Sequence, residues 1–296
     1  MPLPPDLAKG LDWVAEGVAL VEPEPGWRGA ASMLLDDGDV VLVDAGLAPA
    51  QRRLLAPHVD VCILTHCHAA HVAGASDFRE VWAPREEARA LRGPEDFCEV
   101  AGVARRDREQ VVAWLEAAGY APAPVAKAYR PGGILKLGGH EWHLVAAPGH
   151  SPGLTLLHEP KRHILFAADL DGGDHAAWYG WPSCDVDELE TTALELAKVD
   201  VAILLGSHSP PRRRGIRPMF RAIAQRVQER DRKVLNALRE PRTLEELVAV
   251  APVSGRAPVD PLEHYFERVM AEKHLLRLLA KDYVGARQDG RYERLG

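Results

Sequence analysis

Apolar positions follow two rhythms along this chain. In the first part, short apolar runs stand between Gly, Pro and Asp: Val18-Ala-Leu-Val21, Ala31-Ser-Met-Leu-Leu35, Val40-Val-Leu-Val43 and the β-branched Val61-Cys-Ile-Leu64. Runs of this length and composition predict strands, and Asp36-Asp-Gly38-Asp39 between the second and third is a hairpin turn signal. With a short helix expected around 48–56, this region reads as one βαβ-like half of a layered α/β protein. From about 84 to 129 the rhythm becomes helical, with apolar residues at i, i+3 and i+4 in Glu86-Glu-Ala-Arg-Ala-Leu91 and in 107–118, Gly119 as a stop and Ala-Pro-Ala-Pro as extended linker. Strands return at 134–137, 140–147, 154–158 and 163–168, and a helix at 185–198 with a strand at 201–205 completes a second half. Long helices then take over at 218–239, from Thr243 and at about 262–281. Thr243 with Glu246 forms a capping box, and two short runs around Gln288-Asp-Gly290 predict a terminal hairpin.

Length and composition narrow the class. The 296 residues with 47% hydrophobic content bury a sizeable core, in one large domain or one domain with an appendage. A net charge of −7 argues against a chain built wholly for nucleic acid, although 212–242 holds eleven Lys or Arg against three acidic residues. Cys62, Cys67, Cys98 and Cys184 have no framework spacing, which suits a reducing compartment. The start, Met-Pro-Leu-Pro-Pro-Asp, carries neither a basic nor an apolar leader segment, and no run of eighteen apolar residues occurs. The expectation is a cytoplasmic protein without a membrane partner.

The candidate chemistry begins at Thr65-His-Cys-His-Ala-Ala-His71, where an apolar strand ends in three imidazoles. In extended backbone i and i+2 point the same way, so His66 and His68 can close on one ion while Cys67 faces away. His71, at the opening of the next helix, can address a second ion. Further His and Asp follow strands downstream in Pro148-Gly-His150-Ser-Pro-Gly153, Phe166-Ala-Ala-Asp169 and Gly206-Ser-His208. His140, His143, His158 and His163 lie outside any ligand spacing and read as structural or surface residues.

These four motifs, in this order, resemble those of the metallo-β-lactamase superfamily, whose first motif is His-x-His-x-Asp-His. The resemblance implies an αββα sandwich over about 1–215 and a C-terminal winged-helix-like extension over 216–296, as in the glyoxalase-II-like and endoribonuclease-like branch; the helical stretch at about 84–129, inserted between the first and second ligand motifs, is expected to lie over the metal site as a lid. The resemblance implies His66, His68, His150 and Asp169 at one ion, and His71, His208 and the bridging, catalytic Asp169 at a second. Asp44 would support a liganding His. Ala70 departs from the pattern, standing where the family has Asp, and removes one negative charge from the second site.

Neutral nitrogen and carboxylate donors suit one or two zinc ions, with iron or manganese as alternatives. A metal so held lowers the pKa of bound water from about 15.7 to about 7 and polarises the bond attacked, so hydrolysis is the economical reading. Trp114, Tyr120 and Tyr129 in the lid, and Trp178, Tyr179 and Trp181 after Asp169, offer aromatic walls that favour a small-molecule acyl thioester, ester or lactone. Trp114 and Trp142 are nevertheless expected in the core. Three alternatives stand beside this reading: a nucleic-acid-processing or binding protein, given the basic segment; a catalytically reduced member, given Ala70; and a mononuclear-iron persulfide dioxygenase, whose corresponding motif the 65–71 stretch also resembles.

Overall fold

The computed structural model of the chain describes residues 3–137 and 140–295. Strands β1 (Asp12–Ala15), β2 (Val18–Val21), β3 (Ser32–Asp37) and β4 (Asp39–Val43) pair antiparallel in sequence order, and β5 (Val61–Ile63), β6 (Val81–Pro84) and β7 (Lys127–Tyr129) extend the sheet in parallel. Val18–Val21 and Val40–Val43 are buried on both faces, which is why they read as unbroken apolar runs. Gly38, at φ 95, supplies the left-handed residue that the β3–β4 turn needs.

A second sheet runs β12-β11-β10-β9-β8, built from β8 (Ile134–Leu137), β9 (His140–Ala146), β10 (Thr155–Glu159), β11 (Ile164–Phe166) and β12 (Ile203–Leu205). Only its β11–β12 pair is parallel. Inward side chains of both sheets join one continuous core, which holds Met33, Leu42, Ile63, Trp142 and Phe166. The helices are α1 (Pro5–Ala8), α2 (Pro49–Leu55), α3 (Ala69–Val72), α4 (Pro94–Val100), α5 (Arg108–Ala117), α6 (Val186–Leu196), α7 (Ile216–Ala237), α8 (Leu244–Ala249) and α9 (Pro261–Ala280). No helix among the described residues is long and apolar enough to cross a membrane.

One expectation needs correction. The 84–129 stretch is helical only in its middle, over Ala88–Arg92, α4, Arg105–Asp107 and α5. Its last residues form β7, which pairs with β6 at the sheet edge. A three-residue strand after Ala-Pro-Ala-Pro is too short to show a period, and backbone pairing with β6 decides its conformation.

The C-terminal segment has three helices, α7 to α9, and a hairpin of β13 (Val284–Ala286) and β14 (Tyr292–Arg294). It is stitched to what precedes it. Phe220, Ile223 and Val227 on α7 are buried, each contributing about 2 kcal/mol by apolar burial. Arg226 and Arg230 donate to the carbonyls of Gly173 and Ala177, Arg213 donates to Val14 O and Arg217 faces Asp200. Part of the basic character of 212–242 is therefore spent inside the fold. Lys273 of α9 caps the carbonyls of Pro182 and Cys184, and Arg277 donates to Glu190 at 2.7 Å.

Candidate metal centre

Each candidate ligand follows the end of a strand. His66 and His68 lie after β5, His71 sits in α3, His150 lies after β9, Asp169 after β11 and His208 after β12. The structure brings all six together. The ligating atoms of His66, His68, His150 and Asp169 lie within 4.8 Å of one another, as do those of His71, Asp169 and His208. Asp169 stands between the sets: its Oδ2 is 3.0 Å from His150 Nε2, and its Oδ1 is 2.7 Å from His71 Nε2 and 3.1 Å from His208 Nε2.

Neighbours fix which nitrogen each ring presents. Asp44, buried at the end of β4 with φ 67, accepts from Thr65 N at 2.7 Å and from Thr65 Oγ1, and its Oδ2 is 2.7 Å from His71 Nδ1. The Thr65 hydroxyl, having donated to Asp44, accepts from His66 Nδ1 at 3.0 Å. His150 Nδ1 donates to Trp178 O at 3.0 Å. Nε2 of His66, His71 and His150 thus faces the centre, while His68 turns its Nδ1 inward, 2.9 Å from His150 Nε2. Such outer partners orient metal-binding imidazoles and raise their basicity.

The donors fit a cation. His66 Nε2, His71 Nε2 and Asp169 Oδ1 are buried without a hydrogen-bond partner, a costly state unless something else satisfies them. His71 Nε2 and Asp169 Oδ1 approach to 2.7 Å without hydrogen-bond alignment. Burial, followed by neighbouring imidazoles, holds His66 and His68 well below the usual histidine range, in the neutral form that ligates. Burial works against the charged form of His71 too, but Asp169 and Asp44 outweigh it and raise this group to about 10. Asp169 is held well below the usual carboxylate range because the surrounding imidazoles, His71 first, override its burial.

Two supporting carboxylates had no signal in the sequence. Glu87 is fully buried and accepts from Cys67 N and Gly153 N, both at 2.6 Å, tying the first ligand loop to the loop that carries His150. The helical rhythm of Glu86-Glu-Ala-Arg-Ala-Leu91 carries no mark of this role. Asp171 is buried and accepts from His208 N at 2.7 Å and Gly173 N at 2.9 Å, which sets the His208 loop.

A cavity of about 870 Å³ opens onto His68, His150, Asp169 and His208. Trp178 and Trp181 line it, whereas Tyr179 points the other way, with its hydroxyl 2.6 Å from His274 Nε2. Tyr120 and Tyr129 are likewise corrected to the core, their hydroxyls donating to Ala90 O and Leu64 O. Trp114, expected in the core, is 36% exposed and lines the cavity with Ala117 and Ala118 of α5. Trp142 is buried as expected. Phe266 of α9 reaches the same cavity.

Residues 25–208 match the sequence profile of the metallo-beta-lactamase superfamily. The chain belongs to that superfamily. Among curated relatives, this superfamily member is 28% identical over 181 residues to the acyl-coenzyme A thioesterase MBLAC2 of Gallus gallus, covering 55% of this chain and 64% of that protein. It is 27% identical over 176 residues to the human protein of the same name, covering 53% of this chain and 57% of that one. The match therefore spans less than two thirds of these relatives. In fold, the superfamily member is similar to a metallo-beta-lactamase family protein from Thermus thermophilus, with TM-score 0.74 and 22% identity over 96% of this chain and 100% of that one. A beta-lactamase domain protein from Burkholderia ambifaria gives TM-score 0.70 and 21% identity over 96% and 93%. Within the superfamily frame, Ala70 lines the cavity at the second position of α3 and offers no donor.

Proposed function

We propose that this protein is a metal-dependent hydrolase of acyl thioesters, with esters and lactones as chemically related substrates. The observation that carries the reading is the placement of an aromatic cavity directly on the ligand cluster: the Trp178 ring centroid lies 5.4 Å from that of His68 and 5.8 Å from that of His150. The names of the matched curated relatives support the same substrate class.

His66, His68, His150 and Asp169 would hold one cation, and His71, Asp169 and His208 a second. All donors are imidazole nitrogen or carboxylate oxygen, which suits zinc. When bound, such a cation supplies Lewis acidity that activates water and polarises a carbonyl. The chain's own groups do the rest. Thr65 and Asp44 hold His66 and His71 in one tautomer, and the Trp178 carbonyl does so for His150. Trp178 and Trp181 exclude water from the His68–His150 side and offer apolar area to an acyl group, and Glu87 keeps the two ligand loops in register.

Initial rates on an acyl thioester, bis-p-nitrophenyl phosphate and a chromogenic β-lactam, all with added zinc, test the substrate class. Thioester cleavage should exceed the other two by at least about tenfold in kcat/KM, a difference of about 1.4 kcal/mol. Preference for the phosphodiester would overturn the reading.

A further inference from the structure

The cavity has two unlike ends. Beside His68 and His150 it is aromatic: Trp114, Trp178, Trp181 and Phe266 pack at centroid distances of 4.9 to 6.3 Å. Beside His208 and Ala70 it is formed by the segment 26–29. That segment is firmly seated. Ala30 N donates to Ala70 O and Ala31 N to Ser207 O, both at 2.9 Å, and Trp27 Nε1 donates to Gly46 O at 2.8 Å. A side chain at Gly29 would stand 1.6 Å from Gly46 O, so the backbone lies flat against the β4–α2 loop.

Arg28 rises from this support at the mouth of the cavity. It is exposed and has no hydrogen bond or ion pair to any described residue. Among the described residues no other Lys or Arg lines the cavity, and the one carboxylate that does, Asp169, is engaged by imidazoles. Ala70, on the same flank, leaves out the carboxylate that would otherwise repel an anion there. The flank is therefore cationic, and the opposite end apolar.

We infer that the cavity fixes the direction of its substrate, with the acyl chain among Trp114, Trp178, Trp181 and Phe266 and an anionic thiol portion at Arg28. This rests on the thioester reading. In the reaction R–CO–SR′ + H₂O → R–COOH + R′–SH the C–S bond breaks, a C–O bond forms, and water's second proton ends on the departing sulfur. The acid product leaves from the aromatic end and the thiol from the Arg28 end. Arg28 is thus a specificity residue for the leaving group, and Phe266 makes the C-terminal segment part of the acyl wall.

Non-hydrolysable S-decyl thioethers of coenzyme A, glutathione and N-acetylcysteamine test this, with binding read by quenching of tryptophan fluorescence. The first carries phosphates, the second carboxylates and the third no charge. Arg28→Gln should weaken binding of the coenzyme A thioether about tenfold, leave the neutral thioether unchanged, and be largely rescued in Arg28→Lys. Loss for coenzyme A alone identifies phosphate as the anion, and loss for glutathione as well identifies any anionic group; both support the proposal. Phe266→Leu should weaken all three. Equal binding of all three thioethers by Arg28→Gln and the unaltered protein, or no binding of any, overturns the inference. If the thioethers bind as expected but no thioester is cleaved at any metal loading, the thioesterase reading fails while the polarity of the cavity stands.

Discussion

Replacing Ala70 by Asp should tighten the second cation site by roughly 100-fold, or about 3 kcal/mol, and leave the first nearly unchanged. The unaltered second set has three donors, His71, Asp169 and His208, against four in the first. A carboxylate at position 70 would face the cavity from a half-buried position near the start of α3. At about 4 Å and an effective dielectric of about 20, a unit charge attracts a dication by roughly 8 kcal/mol, and removing the carboxylate from water costs several kcal/mol of that. Calorimetric titration of zinc into metal-free protein, with a competing chelator for the tight step, reads both sites. The unaltered protein should fill one site tightly and the second more weakly. In Ala70→Asp the second step should approach the first, and thioester turnover at limiting zinc should rise. Two equal affinities in the unaltered protein, or no change in the second step on substitution, would refute the charge argument.

Glu87→Ala leaves two buried N–H groups without acceptors and should cost about 3 kcal/mol in urea unfolding together with bound metal; metal retention with unchanged stability would deny it a positioning role. Gly149→Ala places a side chain at φ 116, where its Cβ meets Leu189 N at 2.2 Å, and should lower stability by about 3 kcal/mol and displace His150; an unchanged melting temperature would count against it. His274 is held below the usual histidine range by burial first and by Arg230 and Arg277, against the opposing pull of Asp231. Unfolded His274 takes up a proton as pH falls through about 6.5 while the folded form resists, so its contribution is full above that pH and is lost as pH falls toward the folded value. The unfolding free energy of the unaltered protein should therefore decline more steeply below about pH 6.5 than that of His274→Gln, and parallel profiles would contradict this.

The His/Asp cluster was legible because its members stand right after apolar strand runs, as with His66 and His68 after β5 and Asp169 after β11. The long helices were legible because their apolar periods are long: α7 lies within two residues of its expected ends, and the Thr243 capping box is present. Side-chain direction in loops was not. Trp178, Tyr179 and Trp181 are neighbours in sequence, yet Tyr179 turns away to pair with His274, 95 residues later. Nothing local encodes that choice. Trp114 misled for a related reason, since the amphipathic pattern of α5 cannot separate a face that meets the core from one that meets a cavity. Glu87 was hidden because its two N–H partners come from loops 20 and 66 residues away.

Release of free thiol from an acyl-coenzyme A, followed through metal removal and return, tests most directly whether the His/Asp cluster drives acyl thioester cleavage. Thiol release should disappear when the metal is stripped by a chelator, return on adding zinc in step with filling of the His66/His68/His150/Asp169 set, and stay absent in His150→Ala at every zinc concentration. Thiol release that survives full metal removal, or that never appears in protein shown to hold zinc at these residues, would contradict it.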